Sequence, residues 1–210
     1  MRLIAEAGTD VAAVVLFDPA ALPHDFDTAV PRHYATLFSR LQSEGRLFHN
    51  ETDSDGSYLL HLFVDAPLPA DLVRFCSDPL TIEPFHVPSG TLWFCGAEYA
   101  FQRNDARLRK YPHMGTRLEV PPGMYSARFW QTEYPDEYVE DQVEAGTTPE
   151  EYRMNTSGFA QIVARLLRRP APGEAARRKR LEIERDYPCI IGELHLRGEA
   201  PSAPIKLDNR

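Results

Sequence analysis

A group of polar residues near the middle of the chain has the types that acid–base chemistry requires. A carboxylate, a histidine and an arginine in one cleft can transfer a proton and hold an anionic substrate. The group consists of His86, Glu98, Tyr99, His113, Arg128 and Glu133. If the central strands lie side by side, Glu98 and Arg128 face each other, either in such a site or as a structural ion pair. The candidates for a catalytic role are Glu98, His86, His113 and Arg128.

A second candidate is a binding surface in the acidic segment, which we define as residues 133–151. Its acidic residues all precede the next basic residue, Arg153. Tyrosines in and beside the segment can anchor a partner inside a charged rim. The predicted contact residues are Tyr134, Asp136, Glu137, Tyr138, Glu140, Asp141, Glu144 and Tyr152. This composition predicts a cationic protein partner.

A basic segment, residues 165–185, follows the acidic one and leaves two further interpretations open. The two segments can pair with each other inside the fold, which would remove the reason to expect a partner. The basic segment can also contact nucleic acid, but acidic residues flank its densest part and the net charge of the chain is −8. Because nucleic-acid binding needs positive charge to neutralise phosphates, this interpretation is disfavoured.

Motifs with a defined catalytic or metal-binding mechanism are missing. The sequence has no GxSxG, GxxxxGK[ST] or GxGxxG motif, and its histidines show no HxH, HExxH or HxxxH spacing. Its three cysteines, Cys76, Cys95 and Cys189, are far apart and odd in number, which argues against a disulfide framework or a zinc ribbon. We therefore expect no metal and no cofactor, with a metal site assembled in space from the scattered histidines left open as the alternative. No motif indicates a known family.

The ends and the bulk composition predict a soluble cytoplasmic protein. Residues 1–6 lack the apolar core of a signal peptide, and the longest apolar run, Val11 to Phe17, is too short to span a bilayer. A chain of 210 residues with 43% hydrophobic residues can bury a core of its own. Frequent arginine, alanine and proline hint at a bacterial source with a GC-rich genome. A homodimer is compatible with this size.

Periodicity and turn signals predict the elements that must position these residues. Two hairpins are expected, over residues 2–17 and 47–64, because β-prone runs flank Gly- and Asp-rich turns. An apolar stripe predicts a helix over residues 31–44, with Pro31 in its first turn. The other expected elements are a short helix from Pro69 to Phe75, helices over 135–145 and 149–168, and a last strand from Cys189 to Leu196.

The centre of the chain contains a repeated turn. Val87-Pro88-Ser89-Gly90 recurs 33 positions later as Val120-Pro121-Pro122-Gly123, and a β-prone run follows each copy. Since Pro-x-Gly favours a turn, each copy predicts an entry into a strand with one buried face. The two copies differ at most other positions, so two similar turns are favoured over an old duplication.

These observations predict an α+β fold, an antiparallel sheet or partly closed β-sandwich packed by helices that lie mainly in the C-terminal third. We expect one domain over residues 1–210, with a β-rich part (1–132), a helical part (133–186) and a returning strand (187–197). The favoured function is that of a non-enzymatic binding protein of immunity or inhibitor type that uses the acidic segment. The alternative is a small-molecule-binding or hydrolytic enzyme with its site around the central strands.

Overall fold

Two β-sheets make up most of the part of the chain that the computed structural model describes, which is residues 1–52, 54–100, 115–134 and 188–198. The strands are β1 (Arg2–Thr9), β2 (Ala13–Phe17), β3 (Leu47–Glu51), β4 (Gly56–Val64), β5 (Leu80–Val87), β6 (Thr91–Gly96), β7 (Gly115–Glu119), β8 (Gly123–Gln131) and β9 (Ile190–Gly198). The helices are α1 (Phe26–Ser43) and the short α2 (Ala70–Val73), with 3-10 turns at Pro19–Ala21 and Ala97–Tyr99.

The strands form a five-stranded sheet in the order β1-β4-β9-β8-β5 and a four-stranded sheet in the order β3-β2-β6-β7. All pairs are antiparallel except β4 with β9, which is parallel. The inner faces of the two sheets pack together, and the rings of Phe48 and Phe129 stack at 4.0 Å between centroids. At one side of this sandwich the Thr116 hydroxyl joins the sheets, because it accepts a hydrogen bond from the Glu6 amide and donates one to the Glu6 carbonyl.

The predicted α+β fold with several helices is wrong. The described residues are mostly β-strand, with one long helix of 18 residues. The physical reason is that the inner faces of the two sheets bury each other, and one long helix is enough to cover the outer face of the four-stranded sheet. The helices predicted over 135–145 and 149–168 lie outside the described residues.

Both predicted hairpins contain the right strands but the wrong pairing. β1 pairs with β4 rather than β2, and β3 pairs with β2 rather than β4. Every residue of β2 is buried, so this strand needs a neighbour on each side and lies between β3 and β6. Each expected hairpin turn is instead a corner at which the chain passes from one sheet to the other.

Helix α1 covers the outer face of the four-stranded sheet. It begins at Phe26, earlier than the predicted start, because the buried ring of Phe26 stacks against Phe38 at 6.1 Å between centroids. Pro31 therefore lies inside the helix. The helix ends before Gly45, whose φ of +71° is the left-handed conformation that glycine favours at this position.

The repeated Val-Pro-x-Gly turns lie next to each other in space. The first joins β5 to β6 and the second joins β7 to β8, so each carries the chain between the sheets. The Val120 amide donates a hydrogen bond to the Gly90 carbonyl at 2.9 Å. The buried carboxylate of Asp18 accepts hydrogen bonds from the Ser89 amide and hydroxyl, both at 2.7 Å, and burial raises its pKa. Asp18 thus fixes the first turn, and the Val120–Gly90 hydrogen bond joins the second turn to it.

Strand β9 returns from the end of the chain to the centre of the five-stranded sheet, between β4 and β8. Since the Thr132 amide donates to the Cys189 carbonyl at 3.1 Å, residues 133–188 leave the sheet and return to it at neighbouring strand ends. The chain divides into two compact units, residues 1–132 with 189–210, and residues 133–188. The grouping of both in a single domain stays a prediction. Among the described residues, no helix combines the length and apolar character that crossing a membrane requires.

We expect Phe129→Ala to lower the free energy of unfolding by about 3–5 kcal/mol, because it removes a ring that is 1% exposed and leaves a cavity between the sheets. Urea denaturation followed by circular dichroism measures this. Val73→Ala, at a side chain that is 47% exposed, is the control and should change stability by less than about 0.5 kcal/mol. Equal effects of the two substitutions would contradict the described core.

Candidate functional site

Glu98, the first catalytic candidate, holds a corner of the sandwich. It lies in the 3-10 turn after β6, where one carboxylate oxygen accepts from the Asp10 amide at 2.7 Å. The other accepts from the Thr9 hydroxyl at 3.1 Å. Both oxygens therefore fix the connection between β1 and β2, which is a structural role.

Arg128 does not face Glu98. It lies on β8 in the five-stranded sheet, whereas Glu98 follows β6 in the four-stranded sheet. Its guanidinium forms an ion pair with Glu193 on the neighbouring strand β9 and lies over the Trp130 ring, 5.5 Å from the centroid. β6 and β8 do not lie side by side as expected, because the repeated turns place them in different sheets.

The other members of the predicted group are dispersed. His86 is half-buried on β5, and burial, with the positive charge of Arg46, lowers its pKa. Tyr99 packs against the buried cluster beneath α1. Glu133 is exposed at the end of the segment that follows β8. His113 lies outside the described residues. The three described catalytic candidates, Glu98, His86 and Arg128, are not brought together by the structure.

The structure does assemble a carboxylate, a histidine and an arginine, but from other positions. We define the outer charged array as Asp65, Arg128, Glu193 and His195. Because Ala127, Phe129 and Leu194 point into the core, strand alternation places the residues between and beside them on the outer face of the five-stranded sheet. The array has the chemistry that the central group was expected to supply.

Glu193 is the centre of the outer charged array. It is only 6% exposed, and its carboxylate bonds the Arg128 guanidinium through one oxygen and His195 Nε2 at 3.1 Å through the other. His195 Nδ1 lies 3.8 Å from Asp65 Oδ1, which accepts a hydrogen bond from the Leu196 amide at 3.1 Å. A buried carboxylate without a partner is costly, so Arg128 and His195 are needed to hold it there.

His61, on the same outer face, has a different environment. It is fully buried, and the Arg2 guanidinium lies 3.0 Å from its Nδ1. Since a guanidinium can only donate, Nδ1 accepts and the imidazole is neutral in this arrangement. His61 is thus a buried histidine whose ring is hydrogen-bonded to Arg2.

Sequence reasoning missed Glu193 and His195. The signal available was their alternation with the buried Gly192 and Leu194 along an apolar strand, which puts both polar side chains on one face. Nothing in the sequence indicated that β8 would be the neighbour of β9. Arg128 was a predicted candidate, but its carboxylate partner in the structure is Glu193 rather than Glu98.

The predicted binding surface lies almost wholly outside the described residues. Of its contact residues only Tyr134 is described, and it is half-buried. The others, Asp136, Glu137, Tyr138, Glu140, Asp141, Glu144 and Tyr152, are in the range that the structure leaves undescribed. In the described ranges no group of three His, Cys, Asp or Glu side chains has a geometry that could hold a metal ion.

We expect His86→Gln to weaken the pH dependence of stability below about pH 6.5, the ordinary pKa of histidine. The pKa of His86 is lowered in the folded protein, so the unfolded chain binds more protons and stability falls as the pH drops from 6.5 toward the folded value. Urea unfolding at several pH values between about 5 and 7.5 measures this. The exposed His24, substituted by Gln, is the control; a wild-type pH slope in His86→Gln would contradict the expectation.

No family model and no curated protein matches this chain. A solved structure described as "Crocagin biosynthetic gene J" matches with 15% identity and a TM-score of 0.47, over 93% of this chain and 95% of that one. Another, ComJ from Bacillus subtilis, described as an inhibitor of the DNA-degrading activity of NucA, matches with 12% identity and a TM-score of 0.36, over 63% of this chain and 81% of that one. Similarity this low carries no argument for what the chain does.

Proposed function

We propose that the protein binds a cationic protein partner through its acidic segment, residues 133–151, in the manner of an immunity- or inhibitor-type protein. Binding of this kind needs no chemistry at the segment. It needs a concentrated charge that steers the partner and aromatic groups that bury area on contact.

The observation that carries the proposal is how the charge is distributed along the chain. The sequence has 31 acidic and 23 basic residues. Eight of the acidic residues lie in the acidic segment, which contains no lysine or arginine, so the remainder holds 23 of each. The whole net charge of −8 therefore resides in these 19 consecutive residues. A charge excess confined to one segment favours a local role over general solubility.

The way the segment is attached supports a docking role. It begins directly after β8, and the chain returns at Cys189, whose carbonyl accepts the Thr132 amide. Thr132, which immediately precedes the segment, is therefore hydrogen-bonded to the five-stranded sheet, while the end of the segment lies outside the described residues. A binding element anchored on a rigid scaffold loses less conformational entropy on binding than a free tail does.

Pairing between the acidic and basic segments is the competing interpretation. Both segments fall in the compact unit 133–188, so an internal arrangement would need no partner. The two interpretations differ in outcome. Internal pairing predicts that neutralising the acidic segment destabilises the protein, whereas docking predicts that it weakens partner binding and leaves stability nearly unchanged.

The test begins with native mass spectrometry of tagged protein purified gently from its source cells, which should retain a basic protein. Binding is then measured with Glu137→Gln/Glu140→Gln/Glu144→Gln. We expect the triple variant to bind the partner at least about tenfold more weakly than wild type, since three ion pairs are lost. The affinity of the wild-type protein should fall steeply between about 0.05 and 0.3 M salt. The matched control is Glu51→Gln/Asp78→Asn/Glu119→Gln, which neutralises three exposed carboxylates elsewhere.

Equal weakening by both triple variants would show that only net charge matters and would contradict docking at the segment. Salt-insensitive binding would also contradict it. A lower free energy of unfolding in the first variant alone, without any change in affinity, would favour internal pairing. A retained small molecule in place of a protein would direct attention to the outer charged array.

A further inference from the structure

We propose that the outer charged array is an acid–base site that hydrolyses small esters carrying a negative charge, with His195 as the general base. This activity goes beyond the proposed function and uses none of the acidic segment. All four residues of the array belong to the unit formed by residues 1–132 and 189–210. A variant can therefore lose ester hydrolysis and keep partner binding, or lose partner binding and keep ester hydrolysis.

Glu193 orients the histidine. Its carboxylate is nearly buried, and Arg128 fixes one of its oxygens, so the other is held in place to accept from His195 Nε2 at 3.1 Å. A hydrogen bond from one ring nitrogen to a carboxylate sets the tautomer and leaves the second nitrogen as the proton acceptor. Here the second nitrogen is Nδ1.

His195 is also the accessible member of the pair. Its side chain is 45% exposed, against 8% for that of Glu193. Nδ1 lies 3.8 Å from Asp65 Oδ1, which is beyond hydrogen-bonding distance. Nδ1 can therefore receive a proton from a water molecule, and the imidazolium that forms is flanked by the carboxylates of Glu193 and Asp65. By contrast, His61 is fully buried against Arg2.

Arg128 determines the class of substrate. Its side chain is 48% exposed although it pairs with Glu193, so part of its planar guanidinium faces solvent. Such a group binds carboxylates through two parallel hydrogen bonds. The Trp130 ring beneath it restricts its position. A short ester with a carboxylate at its far end matches this arrangement.

The reaction consumes water. His195 Nδ1 takes a proton from water as the water oxygen bonds to the ester carbon, and the carbonyl electron pair moves to oxygen. Collapse of the tetrahedral adduct restores the carbonyl and breaks the bond to the leaving oxygen. That oxygen takes the proton back from the imidazolium, so the products are a carboxylic acid and an alcohol.

The test compares release of nitrophenol from para-nitrophenyl hydrogen succinate and from the neutral para-nitrophenyl acetate. We expect His195→Gln to hydrolyse the succinate ester at least about tenfold more slowly than wild type, and to lose the fall in rate on acidification. Arg128→Gln should raise KM for the succinate ester more than for the acetate ester, and should lower kcat for both because Arg128 also fixes Glu193. The control is His24→Gln, an exposed histidine outside the array, which should behave as wild type.

Glu193→Gln tests the positioning role of the carboxylate and should lower kcat with little change in KM. Because Glu193 is buried, circular dichroism is used to check that Glu193→Gln folds. If it does not fold, His195→Gln still decides the test, since it changes a side chain that is 45% exposed. The proposal is overturned if His195→Gln cleaves both esters as fast as wild type. It is also overturned if the rates of wild type and His24→Gln do not exceed that of free imidazole at the same concentration.

Discussion

The insertion of β9 between β4 and β8 is the constraint on which the rest of the structure depends. This strand is parallel to β4 and antiparallel to β8, so its backbone groups satisfy both neighbours. Without it the five-stranded sheet would be two separate pairs, and the inner face that packs on the four-stranded sheet would be broken. At Gly192, β9 lies so close to its neighbours that a Cβ there would be 2.7 Å from the Leu62 side chain on β4 and 2.9 Å from the Phe129 ring on β8.

The same insertion underlies both proposed sites. Because β9 pairs with β8, it brings Glu193 beside Arg128 and creates the outer charged array. It also closes the base of residues 133–188 through the hydrogen bond between Thr132 and Cys189. One strand pairing thus builds a polar site on one unit and attaches the segment that holds the net charge.

The sequence predicted individual elements better than their arrangement. Alternation and turn residues located the strands near Arg2–Thr9 and Leu47–Glu51, since these signals are local. Pairing failed because it depends on burial across the whole core: β2 is buried throughout, which requires two neighbours and excludes a simple hairpin. The prediction of several helices was wrong for a related reason, since the two sheets bury each other's inner faces and a single long helix covers the outer face of one of them.

In the candidate site, too, the sequence predicted residue types better than their contacts. The sequence indicated residue types that acid–base chemistry needs, but Glu98 stabilises the connection between β1 and β2, and Arg128 pairs with Glu193, which is 65 positions away in sequence. A contact between strands so far apart leaves no local trace in a single sequence. The charge pattern of the acidic segment needs no such contact, and for that reason it was visible from the start.

The most direct measurement of the central claim is amide hydrogen exchange of the protein alone and in the complex retained on gentle purification. If the acidic segment is the docking surface, binding slows exchange within residues 133–152 and leaves exchange in β9 and the outer charged array unchanged. Slowed exchange confined to the outer face of the five-stranded sheet, with residues 133–152 unaffected, would contradict it.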